Sequence, residues 1–426
     1  MASQSRKAAY TALNRCLKSG AWSSITIDSC ISDFQLSGRD AALAGRLCLG
    51  VLQNCYYLDY YIDFFSDNPK SIKPDVRNIL RLGAYQILFN DRIPSHAAVN
   101  ESVELCRDIG CGKASGLVNA VLRKISLSKS NLPEIKASSL EDYLSIKYSH
   151  PVWLVKKLIN EYGYEKCISI MEADNTEPDT DIQINLLRTK ADEFEDLLKE
   201  AKISYSRRND SSFSVSHVKI PEIPGYSEGY FYVQDNAAHE CVLMAEPQPG
   251  FKVLDACAAP GGKTFCSAIE MKNKGSIFSC DIHEKKLKLI NDSAHRLGIG
   301  IIKGFAADAS KYNPEFDSQF DLVIADVPCS GLGVIARKPE IRFKDEASLN
   351  GLPGIQSKIL SNLGCYVRPG GRLLYSTCTI FKEENENIIE NFLTDNRFFR
   401  LIHCKSFLPQ RDSTGGFYAA VLERLE

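Results

Sequence analysis

Apolar residues in the first 140 positions recur with the 3.6-residue period of an amphipathic helix. One such run consists of Ala8, Ala9, Leu13, Cys16 and Leu17. A second run consists of Val76, Ile79, Leu80, Leu82, Ile87 and Leu88. Most glycines and prolines of this part stand at or near the junctions between the helical runs. The pattern predicts an all-α bundle over residues 1–140, in which Ser126 to Ser139 has the serine- and lysine-rich composition of a linker.

Helical and strand-like patterns are mixed between residues 149 and 233. Helical spacing is found in Pro151–Tyr162 and Ala191–Ala201. Short runs typical of strands are Ile182–Leu187, Phe213–Val218 and Tyr230–Val233. These runs predict a small α+β subdomain over residues 149–233, and periodicity alone leaves its strand order open.

From residue 234 to the end, apolar runs typical of buried strands alternate with helical stretches. The strand candidates are Lys252–Ala256, Ser276–Asp281, Gly300–Ala306, Phe320–Asp326, Arg372–Thr377 and the tail Gly416–Leu422. The helical stretches include Thr264–Met271, Glu284–Leu297 and Glu383–Leu393. Near-continuous apolar strands separated by helices are typical of a parallel sheet that is covered on both faces. We therefore expect an α/β fold, with a doubly wound, Rossmann-like domain over residues 234–426 after the all-α bundle and the α+β subdomain.

Composition narrows the class of protein. Hydrophobic residues make up 44% and charged residues 24% of the 426 positions, as in an ordinary globular protein, and no apolar run reaches the length of a membrane span. The polar start lacks the apolar middle of a secretory signal, so we expect a cytoplasmic protein with no membrane partner. The 15 cysteines form no Cys-x-x-Cys pair, which favours reduced thiols, mostly in the core, over a disulfide framework or a metal site.

The net charge of −2 argues against a protein that coats nucleic acid by charge alone. Residues 1–150 nevertheless carry 18 Lys and Arg against 14 Asp and Glu, whereas residues 151–426 carry 33 against 39. The basic first part is suited to contacts with phosphates. A difference of this size is also common in proteins that never bind RNA, so charge leaves the question open.

A loop rich in small residues follows the strand candidate Lys252–Ala256 and opens a helix. Small side chains let a ligand approach the backbone, and the start of a helix offers free N–H groups. Two familiar nucleotide motifs do not fit: a Walker A loop needs a glycine where Cys257 stands, and the G-x-G-x-x-G pattern is absent. The candidate ligand-binding residues of the loop are Cys257, Ala258, Ala259, Pro260, Gly261, Gly262 and Lys263.

Acidic residues end the next two strand candidates. Asp281 lies 19 residues after Gly262, close to the spacing of about 20 at which a carboxylate reaches ribose hydroxyls in doubly wound folds. Asp308 follows the third strand candidate, where it is suited to accept a hydrogen from the exocyclic amine of adenine. One such residue alone is more often a solvated strand end, but their recurrence where open α/β sheets bind ligands favours a nucleoside site.

Two further strand candidates each end in a cysteine. Cys329 follows Asp326-Val327-Pro328, and Cys378 follows Ser376-Thr377, so both thiols are expected in the same crevice. Carbon 5 of cytosine is too electron-poor to attack a methyl donor, but a thiolate that adds to carbon 6 makes it nucleophilic. A base must then remove the carbon-5 proton before the sulfur can leave. For the remaining thirteen cysteines a place in the core is the simpler interpretation.

The segments 255–264, 326–331 and 376–379, in this order, resemble the RNA (cytosine-5) methyltransferase family. The helical front, with Val118-Asn119-Ala120-Val121-Leu122-Arg123 near its end, resembles a NusB-like RNA-binding domain. Together they are similar, over nearly the whole chain, to the bacterial enzymes of this family that methylate small-subunit (16S) ribosomal RNA. The resemblance implies S-adenosylmethionine as cofactor and RNA as partner, and we expect a monomer without an obligate protein partner.

The resemblance also implies roles for individual residues. It makes Cys378 the nucleophile and gives Cys329 a part in proton removal and enzyme release. It places the loop from Cys257 to Lys263 around the methionine part of the cofactor, Asp281 at the ribose and Asp308 near the adenine. Asp326 would lie between cofactor and target base.

Several alternatives stay open from the sequence. Cys329 is the attacking thiol if the chain follows the DNA cytosine-5 methyltransferases, in which the proline-cysteine thiol attacks. A methyltransferase of proteins or small molecules needs neither cysteine, and a non-catalytic RNA-binding assembly factor would not need Cys378. The identity of the target nucleotide, and the choice of ribosomal over transfer RNA, depend on the resemblance alone.

Overall fold

A computed structural model describes residues 1–216, 218–412 and 414–426. The described backbone divides into two compact units. The helical unit consists of Met1–Thr176 and Ile335–Glu346, and the sheet unit consists of Glu177–Val334 and Ala347–Glu426. The segment Ile335–Glu346 therefore belongs to the helical unit although it lies in the second half of the chain. A division of the sequence into consecutive domains does not predict this.

The helical unit is built from helices α1 to α10. Their bounds are Gln4–Ser19, Ser23–Asp33, Gly38–Gln53, Cys55–Phe65, Pro74–Phe89, Ser95–Asp108, Ser115–Ser128, Leu140–Tyr148, Val152–Tyr162 and Tyr164–Ala173. The predicted helical bundle is confirmed, because apolar positions with helical spacing, such as Leu13, Leu80 and Leu122, are buried in one core. Gly83 lets α5 approach α7 closely, since a Cβ atom there would collide with the side chain of Leu122.

The stretch predicted as a linker is only partly irregular. Helix α7 continues to Ser128, and the residues after it are tied to α4. Tyr61 donates its hydroxyl hydrogen to the carbonyl of Pro133 at 2.9 Å, and the backbone N–H of Lys136 donates to the hydroxyl of Tyr60 at 2.8 Å. Composition did not reveal these contacts because the tyrosines stand about 70 positions earlier in the chain.

Residues 335–346 add a short 3-10 helix, Pro339–Phe343, to the helical unit. Its Arg342 is completely buried and donates hydrogen bonds to the carbonyls of Gln53, Ser149 and Asp174 and to the side chain of Asn175. Burial lowers the pKa of Arg342 to about 10, although Asp174 opposes the shift. Four acceptors compensate for the removal of this cation from water.

The sheet unit begins with a four-stranded antiparallel sheet whose order is β2-β3-β1-β4. Its strands are Thr180–Ile184, Tyr205–Arg207, Ser212–Val215 and Phe231–Val233 for β1 to β4, and helix α11 spans Ala191–Glu200. Phe194 of α11 is buried against the sheet. The predicted strand Ile182–Leu187 ends earlier, because the side chain of Asn185 turns to the carbonyls of Gly229 and Leu297, each at 2.9 Å.

The remaining strands form a seven-stranded sheet of order β10-β11-β9-β8-β5-β6-β7. Strands β5 to β11 span Lys252–Asp255, Ser276–Asp281, Ile302–Ala306, Phe320–Asp326, Val367–Thr377, Phe399–Phe407 and Phe417–Arg424. Helices α12 to α17 span Asn236–Met244, Gly262–Glu270, Glu284–Leu297, Leu352–Gly364, Glu386–Asp395 and Pro409–Asp412. Strands β5 to β9 pair in parallel, which confirms the predicted Rossmann-like α/β class. Among the described residues, none of the helices combines the length and apolar character that a membrane crossing requires.

Candidate active site

The loop between β5 and α13 depends on two adjacent glycines. Gly261 has a φ of +114°, which a residue with a Cβ atom rarely adopts. A Cβ atom on Gly262 would lie 3.2 Å from the side chain of Gln234, tighter than an ordinary contact. The glycines thus allow the chain to turn sharply from the strand into the helix, with the backbone of the loop close to the end of the sheet.

Asp255 closes β5 beneath this loop and is fully buried. One carboxylate oxygen accepts a hydrogen from the hydroxyl of Thr264 at 2.6 Å. Burial raises the pKa of Asp255 to about 7, against the effect of the Thr264 hydrogen bond. Burial and the surrounding carboxylates, that of Asp326 first, also raise the pKa of the Cys257 thiol, which stays protonated.

Lys263 joins this loop to the end of β8. Its ammonium lies 2.8 Å from a carboxylate oxygen of Asp326, whose other oxygen accepts a hydrogen from the hydroxyl of Ser376 at 2.8 Å. Burial disfavours the charge on Lys263, but Asp326, together with Cys241 and Asp255, outweighs this effect and raises the pKa above its ordinary value. Residues from α13, β8 and β9 are thereby held together at the carboxyl ends of the parallel strands.

The two other predicted carboxylates lie at the ends of neighbouring strands, as β6 and β7 pair in parallel. Asp281 accepts a hydrogen from the backbone of His283 at 2.9 Å. Asp308 accepts from the hydroxyl and the N–H of Ser310 at 2.7 and 3.0 Å, and these bonds lower its pKa. Ile282, directly after Asp281, is 63% exposed although it is apolar. Two carboxylates beside an exposed apolar surface fit the ribose and the base of an adenosine.

The structure brings the two predicted cysteines together. The Sγ atoms of Cys329 and Cys378 are 2.9 Å apart, and the backbone N–H of Cys378 donates to the sulfur of Cys329 at 3.2 Å. Both residues are partly exposed. The hydrogen bond with Cys378, together with burial, raises the pKa of Cys329 well above its ordinary value. The two thiols are therefore close enough to influence each other's protonation.

The other cysteines mostly follow the prediction of a place in the core. Nine are buried. The prediction was wrong for Cys365 and Cys404, which are exposed at the end of α15 and on β10. Neither position lies in a predicted helix or strand, so the pattern indicates no buried or exposed face for either thiol.

Two buried polar residues next to the cysteines were not singled out from the sequence. Glu384 and Asn385 are 2% and 1% exposed and stand in the turn between β9 and α16. The prediction had placed them inside a helix from Glu383 to Leu393, which in the structure begins only at Glu386. The polar sequence Glu-Asn shortly after Cys378 was the available signal, but in a helix it indicates only a solvated face.

Three parts of the chain match known protein families. Residues 242–423, which contain the residues of the candidate site, match the model of the 16S rRNA methyltransferase RsmB/F family. Residues 3–127 match the NusB family, and residues 150–216 match the ferredoxin-like domain of RsmF/B-like methyltransferases.

Two curated proteins are similar over most of their length. The probable ribosomal RNA small subunit methyltransferase B of Bacillus subtilis is 35% identical over 92% of this chain and 89% of its own. The ribosomal RNA small subunit methyltransferase B of Escherichia coli O1:K1 is 33% identical over 92% of each chain. The crystal structure of PH0851 superposes with a TM-score of 0.84 at 26% identity and covers 99% of this chain and 98% of its own.

Proposed function

Because this chain belongs to the ribosomal RNA small subunit methyltransferase B family, we propose that it methylates carbon 5 of a cytosine in small-subunit ribosomal RNA. Membership of the family makes it an RNA methyltransferase. The choice of carbon 5, and the covalent mechanism that this choice requires, are the further steps proposed here.

The observation that carries the proposal is the pair of partly exposed thiols at the ends of β8 and β9. Methylation of an amine or a hydroxyl needs no thiol, because the lone pair of the nitrogen or oxygen attacks directly. Methylation of carbon 5 needs one sulfur to add to the ring and a proton acceptor to end the reaction. Two thiols 2.9 Å apart, one to add to the ring and one to take part in proton removal, are suited to divide these tasks.

In this mechanism the thiolate of Cys378 adds to carbon 6 of the cytosine, which makes carbon 5 nucleophilic. S-adenosylmethionine, when bound, supplies an electrophilic methyl group on a sulfonium. Cys329 then assists removal of the carbon-5 proton, after which the bond between Cys378 and carbon 6 breaks. The carboxylate of Asp326, held by Lys263 and Ser376, accepts a hydrogen from N3 of the ring once that nitrogen is protonated in the adduct.

The proposed cofactor site lies on the neighbouring strand ends. The loop from Cys257 to Lys263 would hold the methionine part, Asp281 the ribose hydroxyls and Asp308 the adenine amine. The exposed side chain of Ile282 would supply an apolar contact to the adenine. A cytosine inside a duplex cannot reach the thiols, so the target must be single-stranded or flipped out. The NusB-like helical unit is proposed to contribute to RNA binding.

The test follows the covalent adduct on a denaturing gel, with purified full-length protein, unmodified 16S ribosomal RNA and S-adenosylmethionine. We expect Cys329→Ala to accumulate an RNA–protein adduct because it attacks the base but releases it slowly. Cys378→Ala should form none, and Cys365→Ala, which changes an exposed cysteine, should behave as the unchanged protein.

The reverse pattern, with an adduct only in Cys378→Ala, would exchange the roles of the two cysteines. Full methylation by Cys378→Ala would refute the covalent mechanism. Bisulfite sequencing of RNA from cells with and without this protein identifies the target. A lost signal is expected in small-subunit ribosomal RNA, and a lost signal in transfer RNA instead would refute the proposed substrate.

A further inference from the structure

Glu384 and Asn385 are adjacent, buried, and surrounded by the loops that carry the two cysteines. The turn that contains them is held by Tyr375, which donates its hydroxyl hydrogen to the carbonyl of Glu384 at 2.6 Å. Buried polar side chains are retained at little cost only when their hydrogen bonds are satisfied, so the partners of these residues indicate their role.

Glu384 holds the loop of Cys329 from both sides. One of its carboxylate oxygens accepts a hydrogen from the backbone N–H of Ser330 at 2.9 Å and another from the side-chain amide of Gln356 at 2.8 Å. The same amide nitrogen of Gln356 donates to the carbonyl of Pro328 at 3.0 Å. The peptide groups before and after Cys329 are thus fixed through one buried carboxylate.

Asn385 holds the loop of Cys378 in the same way. Its side-chain oxygen accepts a hydrogen from the hydroxyl of Thr377 at 2.6 Å, and its side-chain nitrogen donates to the carbonyl of Thr379 at 3.1 Å. Asparagine is a favoured N-cap residue, and Asn385 occupies that position of α16. Among the described residues, its side chain nevertheless bonds to the strand loop rather than to the first N–H groups of the helix.

The two loops are also joined to each other. The hydroxyl of Ser330 donates to the hydroxyl of Thr379 at 3.0 Å, so the residues directly after the two cysteines are in contact. Because Glu384 and Asn385 are consecutive, the backbone of one turn fixes the distance between the two loops. The separation of 2.9 Å between the thiols is set by this frame.

We propose that Glu384 and Asn385 are positioning residues, each of which holds one cysteine of the pair for its own step of the reaction. This inference rests on the proposed function, because it assigns attack to Cys378 and release to Cys329. A displacement of about 1 Å at a reacting group can lower a rate by a factor of about 100. Loss of the Asn385 contacts should therefore impair attack, and loss of the Glu384 contacts should impair release.

The experiment measures turnover and adduct level separately for the full-length protein on 16S ribosomal RNA. Glu384→Ala should turn over at least about tenfold more slowly and accumulate adduct. Asn385→Asp keeps the shape but loses the donor to Thr379, and it should lower adduct formation and turnover together. Glu384→Gln should restore most of the turnover, because one amide oxygen can accept both hydrogens. Glu383→Gln, the same exchange at the exposed neighbour, should leave both readouts unchanged.

Opposite effects on the adduct are the result that a merely structural role would not produce. Equal losses of adduct in Glu384→Ala and Asn385→Asp, or a Glu384→Gln protein as defective as Glu384→Ala, would overturn the inference. If either variant fails to fold, two milder substitutions replace them. Gln356→Ala removes a hydrogen bond to the Cys329 loop and should raise the adduct level. Thr377→Val removes a hydrogen bond to the Cys378 loop and should lower the adduct level. Cys329→Ala is measured in the same experiment. If Cys329→Ala accumulates no adduct, the proposed function fails. If Cys329→Ala accumulates an adduct and Glu384→Ala does not, only the positioning role of Glu384 is refuted.

Discussion

Each unit of the molecule contains a pair of neighbouring cysteine thiols. Cys16 of α1 and Cys48 of α3 lie in the helical core and are 3% and 0% exposed. Cys329 and Cys378 end strands of the parallel sheet and are partly exposed. In both pairs the neighbouring thiol, together with burial, raises the pKa of one thiol, that of Cys48 or of Cys329, well above its ordinary value. Contact between thiols is therefore not what distinguishes an active site.

The difference lies in what surrounds each pair. The thiols of the helical unit are enclosed by apolar side chains such as Leu13 and Leu47, so no substrate can reach them in the folded state. The thiols of the sheet unit stand where parallel strands end, a place where the backbone leaves a crevice open for ligands. Access and a fixed backbone, rather than contact between thiols, are therefore the features on which the chemistry proposed for the second pair depends.

The contrast between the two pairs requires that the buried pair takes no part in the reaction. We expect Cys378→Ala to lower methylation by about three orders of magnitude or more, because it removes the proposed nucleophile. Cys48→Ala should leave kcat within about twofold, since it changes only core packing. Steady-state methylation of 16S ribosomal RNA by both variants checks this. Comparable losses in the two variants would show that thiol contact by itself matters.

How far these regions could be predicted from the sequence depends on where each residue has its partners. Strands Ser276–Asp281 and Phe320–Asp326 have the predicted bounds. In the second of them the apolar run from Leu322 to Ala325 is continuous, as a strand covered on both faces requires. Strand β10 was missed, since most of its residues are exposed and polar residues alternate irregularly along it. The cysteines were placed at one crevice because strand ends of a parallel sheet meet at one edge.

Side chains with distant partners could not be predicted. Arg342 lies 289 positions after Gln53, and its burial in the helical unit leaves no trace in local periodicity. Glu384 lies 54 positions after Ser330, and in a helical pattern it reads as a solvated residue. The local hydrophobic pattern predicts helices and strands and the edge of the sheet at which the strands end. The hydrogen bonds that fix a site depend instead on residues that are far apart in the sequence.

The pH dependence of the active pair must be separated from that of Asp255, whose pKa burial raises from 3.8 to about 7. When a carboxyl group has a higher pKa in the folded than in the unfolded protein, it contributes stability at pH values below its unfolded-state pKa. This contribution is lost as the pH rises through its folded-state pKa. Between about pH 4 and 7, Asp255 should therefore lower the free energy of unfolding by an amount on the order of 3 kcal/mol. Asp255→Asn should remove this slope.

Urea unfolding at pH 5 and pH 8 measures the effect of Asp255, with Asp292→Asn in the exposed face of α14 as the control. At pH 8, Asp255→Asn should have a higher free energy of unfolding than the unchanged protein. The control should have the same free energy of unfolding as the unchanged protein at both pH values. An equal pH slope in all three proteins would contradict the assignment of this titration to Asp255. Any pH dependence of adduct formation that persists in Asp255→Asn then belongs to the thiol pair.

Alkylation tests the difference in access directly. Under native conditions we expect iodoacetamide to modify Cys378 at least about tenfold faster than Cys16 or Cys48, because only a reachable thiolate reacts. Peptide mapping by mass spectrometry after timed quenching gives the rate for each cysteine. In denaturant the three rates should converge, and this convergence is the control for intrinsic reactivity. Equal rates in the folded protein would mean that the helical core opens as readily as the crevice.

The smallest expected effect is on stability. Here the buried pair should be more sensitive to substitution than the partly exposed pair, whereas for activity the order is reversed. Cys48→Ala removes one sulfur from a fully buried position between α1 and α3, so it should lower the free energy of unfolding by about 1 kcal/mol. Cys378→Ala removes a sulfur that already faces solvent on one side, so the loss there should be smaller. Chemical denaturation followed by circular dichroism measures both. A greater loss in Cys378→Ala would mean that its thiol supports the fold, and its loss of activity could then no longer be assigned to chemistry alone.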